Sequence, residues 1–142
     1  MSRAKPTRGL RSKLEVKVED QLIAQGIDYE YEPSDKKISY VVPAMGHTYL
    51  PDFAIRRTDG GFIYVEAKGI WDYDDRYKHL LIKQQQPELD IRFVFQRAGQ
   101  RIRKGSKTTY RDICEGNGRG IFKGITWKYS DTGRVPEEWF TN

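Results

Sequence analysis

The chain of 142 residues, with a mass of 16.6 kDa, has the length of one ordinary domain with a buried core, so two full domains are not expected. Hydrophobic residues make up 37% of the chain and aromatic residues 13%, which is too much for a disordered protein. No apolar run approaches the roughly 20 residues that a membrane-spanning helix needs. The single cysteine, Cys114, cannot form an internal disulfide. We expect a soluble, intracellular protein.

The net charge of +5 is concentrated at the N-terminus. Residues 1–13 contain no acid, whereas residues 14–142 contain 20 basic and 20 acidic residues. The bases of this first segment are Arg3, Lys5, Arg8, Arg11 and Lys13. This composition predicts a flexible basic arm at 1–13 that binds phosphates, followed by one domain at 14–142.

The first element predicted in the chain is a helix at residues 12–25. Apolar residues recur there at four-residue spacing from Leu14, which is typical of an amphipathic helix. Ser12 followed three residues later by Glu15 has the capping-box pattern. A structural role in capping the helix is therefore the first interpretation of Glu15.

Strands and helices alternate in the rest of the chain. Alternation of apolar and polar residues predicts strands at 29–32, 38–42, 49–57, 62–68 and 91–95, with a hairpin loop at 58–61. Helices are predicted at 72–85 and 109–115. The last 27 residues, rich in glycine and aromatic residues, support no assignment. Such alternation around one sheet indicates an α/β or α+β domain.

A second basic stretch extends over residues 92–111, which contain no acid. Four of its bases lie close to Gly105 and Ser106 and are candidate contacts to a nucleic acid backbone: Arg101, Arg103, Lys104 and Lys107. Neither this stretch nor the arm has a pattern that would recognise base edges. We expect binding through phosphate and shape.

The strongest chemical signal is Asp52, separated by thirteen residues from the run Glu66-Ala67-Lys68. Residues two apart on a strand share a face, so Glu66 and Lys68 project together. A three-residue hairpin loop would place Asp52 on that face, opposite Glu66 or Lys68. A two-residue loop would place it opposite Ala67 and turn it away, unless a bulge restored the register.

Two carboxylates and an ammonium group on one sheet face have two interpretations. Hard oxygen ligands suit Mg²⁺ or Mn²⁺, and such an ion beside a lysine would promote phosphodiester hydrolysis. The alternative is a solvated cross-strand salt bridge, worth less than ~1 kcal/mol. The spacing alone leaves both open.

The residues around the acids extend this pattern. Pro51-Asp52 with Glu66-Ala67-Lys68 matches the PD-(D/E)xK nuclease motif. Further matching runs are Arg11-Ser12-x-Leu14-Glu15, Tyr29-Glu30-Tyr31-Glu32, His47-Thr48-Tyr49, Lys68-Gly69-x-Trp71, Asp74-Asp75-Arg76 and Pro87-Glu88-Leu89-Asp90-Ile91. Together they resemble the bacteriophage T7 endonuclease I family, a family of Holliday-junction resolvases, over about residues 8–115.

The resemblance implies an α/β fold with a restriction-endonuclease-like mixed sheet flanked by helices. It also implies an intertwined homodimer, bridged by a strand segment near 38–48. The implied activity is cleavage of four-way and other branched DNA with Mg²⁺, for which Mn²⁺ would substitute. Neither an organic cofactor nor a membrane is expected as a partner, and a phage-encoded protein of this kind would act in the host cytoplasm.

The resemblance also assigns roles to residues. Asp52, Glu66 and the backbone carbonyl of Ala67 would bind the metal, and Lys68 would be the catalytic lysine. Glu15 would reach the site of the other subunit and bind a second metal there. Glu30 matches a further acid of the family, with a weaker claim to a catalytic role.

Three departures from the family and two alternatives accompany this interpretation. Ser34–Lys37 and extra residues at 57–61 lengthen segments between the site residues, and the basic C-terminal tail of the family is missing. The first alternative is a nonspecific or sequence-specific PD-(D/E)xK DNA nuclease. The second is a DNA-binding protein without catalysis, which would have no evident need for the acid-lysine motif. His79 is interpreted as a packed or hydrogen-bonded core histidine.

Overall fold

The computed structural model describes residues 12–42 and 45–140. Its helices are α1 (Lys13–Ala24), α2 (Tyr73–Gln85) and α3 (Tyr110–Cys114). Its strands are β1 (Tyr29–Tyr31), β2 (Ile38–Val42), β3 (Met45–Tyr49), β4 (Phe53–Arg56), β5 (Phe62–Lys68), β6 (Asp90–Phe95), β7 (Glu115–Asn117), β8 (Lys123–Thr126) and β9 (Lys128–Ser130). The predicted mixed α/β architecture is confirmed. The predicted arm lies outside the described residues, apart from its last two positions.

A five-stranded sheet in the order β1-β4-β5-β6-β9 forms the centre of the domain. Strand β4 pairs antiparallel with both β1 and β5, whereas β5, β6 and β9 run parallel to one another. A parallel pair needs a crossover, which α2 supplies between β5 and β6. The sheet is therefore mixed, and β5 is the strand at which its direction changes.

Each face of the sheet packs against a different helix. Val18 and Leu22 of α1 are fully buried against a cluster that includes Ile63 and Val65 of β5. On the other face Leu80 of α2 joins an aromatic cluster built around Trp71, Phe93 and Phe95. The pleat of β6 separates the two cores, because Val94 packs into the first cluster and its neighbours into the second.

Strands β2 and β3 form a separate antiparallel hairpin, in register from Ile38 opposite Tyr49 to Val42 opposite Met45. The hairpin packs on α2, where Ile38, Tyr49 and Ile82 form a small buried cluster. The segment that we predict to bridge two subunits includes this hairpin, together with residues 43 and 44, which lie outside the described residues. The predicted homodimer stays a prediction.

The prediction of one strand at 49–57 is wrong. Strand β3 ends at Tyr49 and β4 begins at Phe53, with Pro51 in the interruption. Proline has no N–H to donate to a strand ladder, so the break occurs where the sequence places this residue. Strands β3, β7, β8 and β9 were not predicted as separate elements. In the described part of the chain, no helix is long and apolar enough to cross a membrane.

Candidate active site

The register of the β4-β5 hairpin decides where Asp52 lies. Phe53 pairs with Val65 and Arg56 with Phe62, while the Arg57 N–H donates to the Gly61 carbonyl at 2.7 Å. The loop therefore consists of residues 58–60, and Gly60 accommodates its positive φ of 92°. This is one of the two three-residue loops that the sequence allows. Continued by one residue, the register places Asp52 opposite Glu66, on the face towards α2.

Asp52, which is half-buried, and Glu66, which is buried, form a carboxyl pair. Glu66 is 3% exposed, and its side chain makes a hydrogen bond with that of Asp52. Asp52 Oδ2 also accepts from the Ala67 N–H at 2.9 Å. Burial raises the pKa of Asp52 to about 6, and burial together with the charge of Asp52 raises the pKa of Glu66 well above its ordinary value. The pair therefore holds a proton readily when no cation is bound.

Lys68 lies at the end of β5, beside the acid pair. Its Nζ forms an ion pair with Asp75 Oδ2 at 2.5 Å, and both side chains are largely buried. Burial lowers the pKa of Lys68, but the charges of Glu66 and Asp75 outweigh it, so this pKa lies above its ordinary value. The ammonium group is thus held in its charged form and in a fixed position. Sequence reasoning gave Asp75 no role, although it lies only seven residues after Lys68 at the start of α2.

Glu15 both follows a helix cap and reaches the acid pair. Its backbone N–H donates to the side chain of Ser12 at 3.0 Å, which confirms the predicted cap. Its carboxylate instead accepts from the Tyr31 hydroxyl at 2.6 Å. The charge of Glu15 contributes to the raised pKa of Asp52, which places Glu15 near this residue in the same chain. Whether a partner's Glu15 takes this position in a dimer stays a prediction.

Glu30 lies on β1, opposite Ala54, on the same face of the sheet as Glu66. It forms an ion pair with Lys36 Nζ at 2.7 Å. It also lines a cavity of about 410 Å³ with Asp28 and Arg56, and neither Asp52 nor Lys68 lines that cavity. Glu30 therefore shares a face with the acid pair but forms its ion pair with Lys36 instead.

His79 connects the acid pair to Asp75. It is 1% exposed, with Nε2 at 4.0 Å from Glu66 Oε1 and 3.8 Å from Asp75 Oδ1. The ring packs edge-on against Phe93 and Tyr49. Burial lowers the pKa of His79 to about 3, so the imidazole is neutral. The predicted packed histidine is confirmed, but packing places it against the site, which its position beside Leu80 in the sequence does not indicate.

The predicted basic residues of the 97–108 loop surround two cavities. One, of about 790 Å³, is lined by Arg97, Arg101, Arg103 and Lys104, among other residues. The second, of about 480 Å³, shares Arg103 and adds Arg76, Lys107 and Arg119. Among the described residues, the cations of this loop form no ion pair. Lys13, at the start of α1, lines a cavity of about 300 Å³ together with Gly69. Arg3, Lys5, Arg8 and Arg11 lie outside the described residues.

The donor set at the acid pair fits a magnesium ion. Mg²⁺ is commonly held by one or two carboxylates, with waters and substrate phosphates completing its shell. Asp52 and Glu66 are two such carboxylates, sharing a hydrogen bond where a cation would relieve their repulsion. No group of three or more potential metal-binding side chains occurs in residues 12–42 and 45–140, so a bound ion would depend on water and substrate oxygens.

Comparison with known proteins agrees with this geometry. The family model of phage endonuclease I matches residues 1–141. Endonuclease I of Escherichia phage T7 is 46% identical over 129 residues, which cover 91% of this chain and 76% of the relative. Endodeoxyribonuclease 1 of Enterobacteria phage T3 is 48% identical over 111 residues, covering 78% and 69%. The chain belongs to the phage endonuclease I family.

Proposed function

We propose that this protein is a Mg²⁺-dependent endonuclease that resolves four-way DNA junctions and cuts other branched DNA. The observation that carries the proposal is the carboxyl pair of Asp52 and Glu66 beside Lys68, in a chain whose relatives are named as an endonuclease and an endodeoxyribonuclease. DNA cleavage follows from the family. The preference for junctions and the restriction-endonuclease-like fold rest on the resemblance of the sequence.

The residues divide the chemistry among them. Asp52, Glu66 and the Ala67 carbonyl would hold Mg²⁺, which when bound polarises a phosphoryl oxygen and acidifies a bound water. Lys68, kept charged by Asp75, orients the attacking water or stabilises the negative charge that develops on the phosphate. Glu15, beside Asp52, would supply a further ligand for a second ion.

The basic residues hold the DNA without recognising its sequence. Arg101, Arg103, Lys104 and Lys107 line two cavities next to the start of α2, where phosphates can bind several guanidinium and ammonium groups. The arm at 1–13 would add contacts that depend steeply on salt. Branched DNA is then selected by the shape that places two arms on these surfaces.

The direct test replaces Glu66 with alanine and measures cleavage of a synthetic four-way junction in Mg²⁺. We expect cleavage to fall by at least about a hundredfold, because metal-assisted catalysis supplies several kcal/mol of stabilisation to the transition state. Junction binding in EDTA should persist. Glu88→Ala, which removes an exposed carboxylate, is the matched control and should cleave normally. Full cleavage by Glu66→Ala would remove the site assignment.

The same assay separates the alternatives. A linear duplex of the same sequence, cut as fast as the junction, would identify a nonspecific or sequence-specific nuclease. Junction binding without any nicking in Mg²⁺ or Mn²⁺ would identify a protein that only binds DNA. Loss of cleavage in EDTA, with recovery after Mg²⁺ is added, is the expected result.

The homodimer has its own test, since we propose that Glu15 completes the site of the other subunit. Glu15→Gln and Asp52→Asn are each expected to be inactive. If Glu15 acts in trans, co-refolding the two variants forms heterodimers in which one site has both mutations and the other has neither. Recovered single-strand nicking supports the exchange, and no recovery shows that Glu15 acts within its own chain.

A further inference from the structure

Ile70 is a large apolar side chain that the fold leaves in solvent. It is 72% exposed, although Trp71 beside it is fully buried. Ile70 follows Lys68 by two residues, in the short connection between β5 and α2. An isoleucine gains nothing from this position in the isolated chain, since burying it would remove its apolar surface from water.

Ile70 lies between two cavities, and a DNA strand that occupied both would pass over it. On one side, Ile70 lines a cavity of about 570 Å³ together with Lys68, Asp75 and Lys78. On the other, it lines the cavity of about 790 Å³ that holds Arg97 and Arg101. Ile70 and Asp72 line both cavities, so a DNA strand whose reacting phosphate lies at Lys68 and whose neighbouring phosphates lie in the basic cavity would pass over this pair.

An apolar residue on this path does not bind phosphate. The part of a nucleotide that an isoleucine can contact favourably is the face of a base, and in a continuous duplex stacking covers that face. Apolar side chains contact base faces where the stack is interrupted. A branch point is the place where neighbouring arms can separate and uncover the faces of their terminal base pairs, whereas a linear duplex has no such place.

We propose that Ile70 determines specificity by packing on the base face that a branch point exposes beside the cut phosphate. This inference rests on the proposed function and names the feature of branched DNA that the site recognises. Ile70 contacts the substrate without touching the reacting atoms. It favours cleavage where the stack ends, and it gains no such contact with an uninterrupted duplex.

Ile70→Ser tests the proposal, because the side chain is exposed and its replacement should not disturb folding. Cleavage rates in Mg²⁺ and binding in EDTA are measured on a four-way junction and on a linear duplex of the same sequence. We expect junction cleavage and junction affinity to fall about tenfold, because the variant loses the partial burial of one isoleucine side chain against a base. Cleavage and binding of linear DNA should not change. Ile23→Ser is the matched control on α1, where Ile23 is 37% exposed and lines neither cavity.

Tyr73 provides a second variant on the same path. It is 54% exposed and lines the neighbouring basic cavity with Arg103 and Arg119. If unstacked nucleotides extend over this surface, Tyr73→Ala should also lower the ratio of junction to linear cleavage, since stacking on aromatic rings stabilises single strands. The expected loss is again selective for branched DNA.

Three outcomes would overturn the inference. Parallel losses on junction and linear DNA would make Ile70 a general contact or a dimer contact, which gel filtration of the variant would distinguish. No loss on either substrate would show that Ile70 does not recognise branching, and the proposed function would survive because wild type still prefers junctions. A wild-type protein without this preference would remove the proposed function as well.

Discussion

The two faces of strand β5 differ in what burial does for the protein. Ile63 and Val65, on the α1 face, are no more than 1% exposed and pack among apolar residues. Glu66, on the α2 face, is 3% exposed but lies among charges. Burying an apolar side chain stabilises the fold by about 1.5–3 kcal/mol, whereas burying a carboxylate opposes its ionisation. Similar burial therefore stabilises the fold on one face, whereas on the other face it raises the pKa of the carboxyl groups of the site.

The largest effect is expected on the apolar face. Ile63→Ala should lower the free energy of unfolding by about 2–5 kcal/mol, because it removes buried methylene groups and leaves a cavity. Urea denaturation monitored by tryptophan fluorescence measures the loss. The control is Ile23→Ala, on the exposed part of α1, which should change stability by less than ~1 kcal/mol. Equal effects at the two positions would contradict the comparison.

The stability that Asp52 contributes on the acidic face should depend on pH in the opposite sense to that of a carboxylate with a lowered pKa. Because the pKa of Asp52 rises from 3.8 to about 6, the folded protein binds a proton that the unfolded chain has released between these values. Without metal, stability contributed by this group is full below pH 4 and is lost as the pH rises through 6, by up to about 3 kcal/mol.

Unfolding measured in EDTA from pH 4 to pH 8 tests this dependence. Asp52→Asn should flatten it, because the amide does not titrate. An unchanged decline in the variant would show that Asp52 is already ionised in the folded state over this pH range. Mg²⁺ should restore stability most strongly above pH 6, since a metal competes with protons for its ligands.

The sequence predicts the apolar face better than the acidic one. Period-two alternation predicts β5, and four-residue spacing predicts α1, because local periodicity reflects which side each element buries. The pairing of Asp52 with Glu66 depends on the length and position of the hairpin loop. The sequence allows two three-residue loops that place Asp52 on the face of Glu66 and Lys68. The structure selects the loop at 58–60.

Contacts between distant segments account for what the sequence does not predict. Nothing near Lys68 in the sequence indicates that Asp75 would point back to it from α2, nor that His79 would lie between two carboxylates. The last strand, β9, has only three residues, which is too few to show a clear alternation. It pairs with β6, which is distant in the sequence, so local patterns do not indicate the pairing. The side chains of the motif were identifiable, but the residues that position them were not.

An intermediate effect is expected at Asp75, which connects α2 to the acidic face. Asp75→Asn keeps the size of the side chain but removes the negative charge that pairs with Lys68 Nζ at 2.5 Å. We expect the cleavage rate to fall about tenfold, which corresponds to 1.4 kcal/mol. The pKa of Lys68 should also fall, since Asp75 contributes to raising it.

The pH profile of cleavage separates this positioning role from a general loss of folding. The alkaline limb should move to lower pH in Asp75→Asn, where Lys68 loses its proton more easily. Asp74→Asn removes the neighbouring exposed carboxylate and should leave the limb in place. A uniform loss at every pH would indicate that Asp75 stabilises α2 without controlling the lysine.

The smallest effect, on DNA binding, is expected at the exposed basic residues of the 97–108 loop, which belong to neither face of β5. Lys104 is exposed and lines the larger basic cavity, where it would bind phosphate through a charge already screened by water. Lys104→Ala should weaken junction and duplex binding equally, and reduce the slope of log affinity against log salt by about 1. Titrations at several salt concentrations measure that slope. A selective loss of junction binding would instead place Lys104 at the branch point with Ile70, because a general phosphate contact affects every DNA substrate alike.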